Sequence, residues 1–155
     1  MRDSRIGSYG ATALMLSLAA RITLVGELIF ATGGPLRMGF LIVAATAVSR
    51  SAGLLPLVLL SPARVDGAGA AAGRLSLASW RLGAVPAVVV AALLIYAATG
   101  HVACLVAPFV SLLVAFGVSK LAERQIGGQT GDVCGAATLL AEIAFLAAVL
   151  APHGL

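Results

Sequence analysis

Three short stretches of this 155-residue chain gather side chains that handle phosphate. The opening MRDSR sets Arg2, Asp3 and Arg5 directly before an apolar run. Guanidinium groups neutralise phosphate oxygens through paired N–H donors, and a carboxylate in their company either holds Mg²⁺ or caps the helix that follows. A second stretch, GGQTGDVCGA at 127–136, puts Gly127, Gly128 and Gly131 around Thr130, with Asp132 where the last apolar run begins. Closely spaced glycines expose backbone N–H groups, so this turn suits a phosphate or a metal–phosphate complex. It is not a Walker-type loop, because no Lys-Ser/Thr pair follows the glycines. A structural reading of the same residues stays open, in which Asp132 is an N-cap and Gly127, Gly131 and Gly135 form a packing ridge of small residues. The third stretch, ARVDGAG at 63–69, adds Arg64 and Asp66 in a glycine-rich loop.

The elements that carry these stretches must be membrane helices. Hydrophobic residues make up 61% of the chain, charged residues only 10%, and mean hydropathy is +1.08, far from the balance of a water-soluble domain. A span needs about 20 mostly apolar residues. Five runs qualify, near 11–31, 39–61, 83–99, 102–118 and 135–151, rich in Ala and Leu and without strand-like alternation. The expected fold is all-α: a single membrane domain over 1–155, a polytopic bundle of about five transmembrane helices. Arg21 and Glu27 interrupt the first run, which argues against a cleaved secretory signal.

Basic residues sort by loop. With five spans the N-terminus and the second and fourth loops share one side, and they hold Arg2, Arg5, Arg64, Arg74, Arg81, Lys120 and Arg124. The opposite side holds only Arg37. Positive loops stay in the cytoplasm, so the N-terminus is expected there, with all three phosphate-handling stretches facing that compartment. Ordinary topology-setting charge explains such a rim without any ligand, but the same rim also attracts anionic headgroups or a phosphorylated substrate. No aromatic-interleaved nucleic-acid module is present, so no nucleic-acid partner is expected.

Arg21, Glu27, Arg50 and Glu142 fall inside the predicted spans, where a charge is costly unless paired or hydrated. Arg21 and Glu27 are six residues apart, about 120° around a helix, and so should meet different partners. Cross-helix pairing is expected, for instance Arg50 with Glu142 or Glu27, either to fix helix register or to serve chemistry. Pro56 and Pro108 predict kinks, whereas Pro86 near the start of the third span is easily tolerated. Cys104 and Cys134 bracket the fourth span at about the thickness of the bilayer core, too far apart for a disulfide. His101 and His153 lack zinc-site spacing.

Taken together, these motifs resemble the cobalamin (5'-phosphate) synthases, also called adenosylcobinamide-GDP ribazoletransferases. The resemblance runs through the whole chain: the MRDSR-hydrophobic-G segment at Met1–Gly7, the basic residue and glutamate at Arg21 and Glu27, and Arg50 flanked by small residues. It continues with the AR-x-x-G-x-G loop at Ala63, Arg64, Gly67 and Gly69. The GGxTGDxxGA turn follows at Gly127, Gly128, Thr130, Gly131, Asp132, Gly135 and Ala136, with Glu142 matching a later glutamate. Between that turn and Glu142, where the family usually has a further polar or acidic residue, this chain has Thr138, Leu139 and Leu140.

The resemblance implies a Mg²⁺-dependent phosphotransferase of the bacterial cytoplasmic (inner) membrane. It would join adenosylcobinamide-GDP to α-ribazole or its 5'-phosphate and release GMP in cobalamin biosynthesis. Arg2, Arg5 and Arg64 would contact phosphates, the 127–131 turn would supply backbone donors, and Asp3 or Asp132 would assist the metal or accept the hydroxyl proton. The family also carries an upstream aspartate-rich DG-x-AD-x-x-D motif expected to hold the main metal ligands. This chain lacks it, so the resemblance implies the C-terminal part of a longer architecture, partnered by an N-terminal half or by further copies of itself. Two other classes fit the composition. A small transporter should show internal repeats, which are not evident, and a non-catalytic scaffold would leave the GGQTGD turn without a purpose.

Overall fold

A bilayer offers backbone groups no water, so a spanning segment must satisfy its hydrogen bonds internally. The computed structural model describes residues 8–63, 71 and 73–153, and they obey this rule as helices. The chain runs through α1 (Ser8–Thr32), α2 (Pro35–Gly53), α3 (Leu55–Leu59), α4 (Leu77–Thr99), a 3-10 turn at Val102–Val106, α5 (Ala107–Ile126), α6 (Gly131–Leu150) and a terminal 3-10 turn at Ala151–His153. Among the described residues, five segments are long and apolar enough to cross a membrane: Gly10–Thr32, Pro35–Leu59, Leu77–Thr99, Cys104–Ile126 and Gly131–Leu150. Arg2, Asp3, Arg5 and Arg64 lie outside the described residues.

The helices overrun the apolar runs at their polar ends. α4 starts at Leu77, where the Ser76 hydroxyl accepts the Ser79 N–H at 3.0 Å, so Trp80 and Arg81 belong to the helix rather than to a loop. α5 continues through Lys120, Glu123 and Arg124 to Ile126. Hydropathy marks the slab of lipid, whereas the helix ends where a cap or a glycine stops it, and long basic side chains reach the interface from inside the last turn.

The three prolines act differently from one another. Pro56 has no N–H for the carbonyl four residues back, and the second span breaks there at Leu54 into α2 and α3. The Ser51 carbonyl at this break accepts the Trp80 indole N–H at 2.8 Å, which ties α4 to the break. Pro108 makes no kink, because it stands in the first turn of α5, where a missing N–H costs nothing. Pro86 lies well inside α4, which continues through it.

The core has two parts. Leu28, Leu41, Val48, Ile95, Phe145 and Leu146 bury together at one level, and Ala52, Ala115, Ala137 and Ala141 form a smaller cluster where the helices approach closely. Lipid is as apolar as leucine, so such contacts stabilise through close packing and interhelical hydrogen bonds. Ser111 donates to the Ala141 carbonyl at 2.8 Å across α5 and α6, and buried Cys104 donates to the Val149 carbonyl at 3.5 Å. Gly53 lets α2 lie against α6, since a side chain there would run into the Thr138 hydroxyl. Both cysteines are free thiols.

α1 sits at the margin, with Leu14, Met15, Leu16 and Leu18 exposed. An intramembrane ion pair links it to α6: Arg21 Nη2 donates to Glu142 Oε1 at 2.8 Å. Cross-helix pairing is therefore present, but with different partners from those the sequence suggested. Glu142 pairs with Arg21, and among the described residues Arg50 has no carboxylate partner. Arg50 stands in the last turn of α2 and, as expected, inside the second span, which runs from Pro35 to Leu59. Arg21 is thirteen residues into α1 and Glu142 eleven into α6, so parallel helices starting at one end of the bundle carry them at a common depth.

Neutralising Arg21 or Glu142 alone should destabilise the protein in detergent, and the double variant Arg21→Gln/Glu142→Gln should lose less than the sum. A double-mutant cycle by thermal unfolding should give a coupling of about 0.6–1.7 kcal/mol, the range of intramembrane polar contacts. Additive losses would remove the pair as a structural link.

Candidate functional site

At the end of the bundle where α3 and α5 finish and α6 begins, two non-helical stretches meet. α5 stops at Gly127, whose φ of 72° is open to glycine at little cost, and its N–H caps the helix by donating to the Glu123 carbonyl at 3.1 Å. The next residues pair with the chain that leaves α3. Gln129 donates its N–H to Ser61 at 2.9 Å, and Ala63 donates to Gln129 at 2.9 Å, making an isolated parallel bridge between Pro62 and Gln129. Gly128 permits this approach, because a Cβ there would lie 2.5 Å from the Ser61 carbonyl oxygen and 2.8 Å from the Ala63 nitrogen. Gln129 is buried beneath the turn. The backbone immediately before Arg64 is thus fastened to the GGQTGD turn.

The bridge also allocates the donors of that turn. The N–H groups of Gly127 and Gln129 are used in structure, while Gly131 and Asp132 begin α6, where N–H groups have no intrahelical acceptor. Thr130 is the N-cap: its hydroxyl accepts the Val133 N–H at 3.3 Å, and its carbonyl accepts from Cys134. The reading of Asp132 as the cap is therefore corrected, since a threonine two residues earlier fills that place and leaves the Asp132 carboxylate exposed. The small-residue ridge is not formed either. A Cβ at Gly127 or Gly135 would meet nothing within 4 Å, so these glycines face open space rather than a neighbouring helix.

Two cavities flank the start of α6 on opposite faces. One, of about 370 Å³, is lined by Arg50, Gly53, Leu54, Cys134, Gly135 and Thr138. The other, of about 240 Å³, includes Asp132, Val133 and Ala136 together with Gln125 and apolar side chains of α5. Helical geometry explains the split, because Asp132 and Ala136 are four apart on one face while Cys134 and Thr138 are four apart on another. Glu142, seven residues or two turns past Gly135, shares the Arg50 side. Half-buried Glu27 lies on α1, six residues past Arg21.

Among the described residues, no three His, Cys, Asp or Glu side chains converge to make a metal cage. Asp132 supplies one exposed carboxylate, which fits Mg²⁺ only in the mode where one or two carboxylates act with the oxygens of a substrate phosphate. Sequence reasoning singled out Gly128 and Thr130 for phosphate contact. It missed the structural work of both, and it missed Gln129 and Cys134. The one usable signal was the adjacency of two glycines, which marks close backbone approach as readily as ligand contact.

These features define a polytopic helical membrane protein with an ordered polar end built from a glycine turn, a capped helix start and an intramembrane arginine. A family model described as CobS, Cobalamin-5-phosphate synthase, matches residues 1–150, and the chain belongs to that family. An adenosylcobinamide-GDP ribazoletransferase of Azorhizobium caulinodans is 48% identical over 150 residues, covering 97% of this chain and 56% of that protein. Proteins of the same name from Mesorhizobium japonicum and Xanthobacter autotrophicus are each 45% identical, covering 94% and 97% of this chain and 53% and 56% of their own lengths. The chain spans about half the length of these curated relatives. No solved structure matches it.

Replacing Gly128 by alanine should break the bridge, because the obstructing atoms are backbone and cannot rotate away. The expected cost is about 1–3 kcal/mol of stability, with faster amide hydrogen exchange at Ala63 and Gln129. Gly135→Ala, with open space at its Cβ, should leave both measurements unchanged.

Proposed function

We propose that this chain forms part of the site of an adenosylcobinamide-GDP ribazoletransferase, working at the cytoplasmic face of a bacterial inner membrane. The observation that carries the proposal is the bridge between Ser61–Ala63 and Gln129. It ties the segment leading into Arg64 to the turn containing Thr130, Gly131 and Asp132, two stretches of the kind that hold phosphate. Family membership and the names of the relatives support the transferase reading.

In the proposed reaction a ribose hydroxyl of α-ribazole, or of its 5'-phosphate, attacks the cobinamide-side phosphorus of the GDP-linked donor. A new P–O bond forms, the bond to GMP breaks, the hydroxyl proton passes to a base, and GMP leaves with the negative charge. Catalysis of such a transfer consists of positioning and of stabilising charge spread over the phosphate oxygens. The first-turn N–H groups of α6 point their positive ends at that charge, and the helix dipole adds to them. Exposed Asp132 would accept the proton or contribute one oxygen to Mg²⁺, which when bound would neutralise the pyrophosphate. Arg2, Arg5 and Arg64 are assigned to the phosphates, and Asp3 to the metal or the hydroxyl proton.

Asp132→Asn should lower the rate of GMP release from adenosylcobinamide-GDP by about 10²–10⁴-fold, the range for loss of a positioned general base. The melting temperature should hardly change, since Thr130 rather than Asp132 caps the helix. A variant with the normal rate removes Asp132 from the reaction. Separately, adenosylcobinamide-GDP at about 100 times its Kd should stabilise the wild-type protein by about 2.7 kcal/mol. No stabilisation, together with uptake of solute into vesicles, would favour a transporter instead.

A further inference from the structure

Among the described residues, the ionic pairing inside the membrane leaves Arg50 and Glu27 unanswered, and of these Arg50 is the cation. Arg50 lies in the last turn of α2, within the span Pro35–Leu59, and it is exposed without a carboxylate partner among the described residues. Glu142, the carboxylate nearest in face along α6, is held at 2.8 Å by Arg21. An arginine in a span costs a few kcal/mol unless it finds water or an anion. Beside Arg50 is the cavity of about 370 Å³, with Gly53, Leu54, Cys134, Gly135 and Thr138 as its other walls.

Three further observations give that space a sign and a size. Gly135 contributes no side chain, and a Cβ there would meet nothing within 4 Å, so the wall stays open. The cavity adjoins the first two turns of α6, whose dipole is positive at that end. Asp132, the carboxylate that would repel an anion, lines the cavity on the opposite face of the helix. An exposed guanidinium without a carboxylate partner, a positive helix end and a volume within the range of small-ligand pockets all favour a multivalent oxyanion.

We propose that this cavity is a phosphate-binding site, with Arg50 as its anchoring cation and the N-terminal turns of α6 as its second positive wall. It shares the start of α6 with the transferase reading but is anchored by Arg50, to which that reading gives no role, and binding there requires no turnover, so failure of the transferase reading would not decide it. Its phosphate comes either from a soluble phosphoanhydride or from a phospholipid headgroup entering from the bilayer.

Cys134 provides the readout, because it lines the cavity and is only half-buried, whereas Cys104 is fully buried. In lipid-stripped detergent, alkylation of Cys134 by N-ethylmaleimide would be followed by intact-mass spectrometry. Three additives are compared: inorganic pyrophosphate, lysophosphatidylglycerol, and the monoacylglycerol of the same chain length, which lacks phosphate. Protection of several-fold by pyrophosphate assigns a soluble ligand, and protection by the lysophospholipid but not by the monoacylglycerol assigns a headgroup. Arg50→Gln should weaken the protecting ligand about tenfold or more, as loss of a charge-assisted hydrogen bond does. Alkylation of Cys104 would reveal a misfolded variant. In that event Gly135→Leu, which fills the cavity while keeping Arg50, should abolish protection instead. No protection by either phosphate compound, equal protection by the monoacylglycerol, or undiminished protection in folded Arg50→Gln would overturn the proposal.

Discussion

Non-helical backbone can exist in a membrane protein only where it finds partners within the protein or at the interface. In this chain the irregular stretches at one end of the bundle meet that requirement by pairing with each other. The segment leaving α3 and the turn between α5 and α6 exchange two backbone hydrogen bonds of 2.9 Å. Upstream, Pro56 breaks the second span, and Trp80 takes the Ser51 carbonyl at the break. Downstream, Thr130 starts α6. The polar end thus forms a continuous hydrogen-bonded framework, and Gly128 is the residue whose lack of a side chain allows its centre to close.

The charges follow the same economy of partners. A carboxylate in the bilayer can neutralise one guanidinium at contact distance, and Glu142 is taken by Arg21. That choice links the marginal helix α1 to the core through α6, and it leaves Arg50 facing the cavity beside the start of α6. Asp132 and Cys134 lie two residues apart at the start of α6, yet they line different cavities because α6 turns about 100° per residue. The candidate site is therefore two-sided, with an acidic face toward α5 and a basic face toward α2.

Family membership was legible in the motifs before any coordinates, and so was the all-helical architecture of five spans. Long runs of Ala, Leu and Val without strand alternation leave a bilayer-sized helix as the one way to satisfy the backbone. Helix ends were less legible. Arg81, Lys120 and Arg124 looked like loop residues because they are polar, yet they continue helices whose ends are set by Ser76 and Gly127. The choice of N-cap stayed open for a related reason, since both Thr130 and Asp132 are good capping types and only backbone geometry selects between them.

What the sequence determined by itself is composition-driven: a membrane protein, helical, with intramembrane charges that need partners and a glycine turn of the family type. Tertiary structure decided which partners those are. Arg21 rather than Arg50 meets Glu142, and Gly128 approaches Ser61 and Ala63 from 65 residues away or more. The physical reason is that pairing depends on helix rotation and relative depth, which emerge when all the helices pack together. One helix's periodicity places a charge on a face; the neighbouring helix decides what stands opposite it.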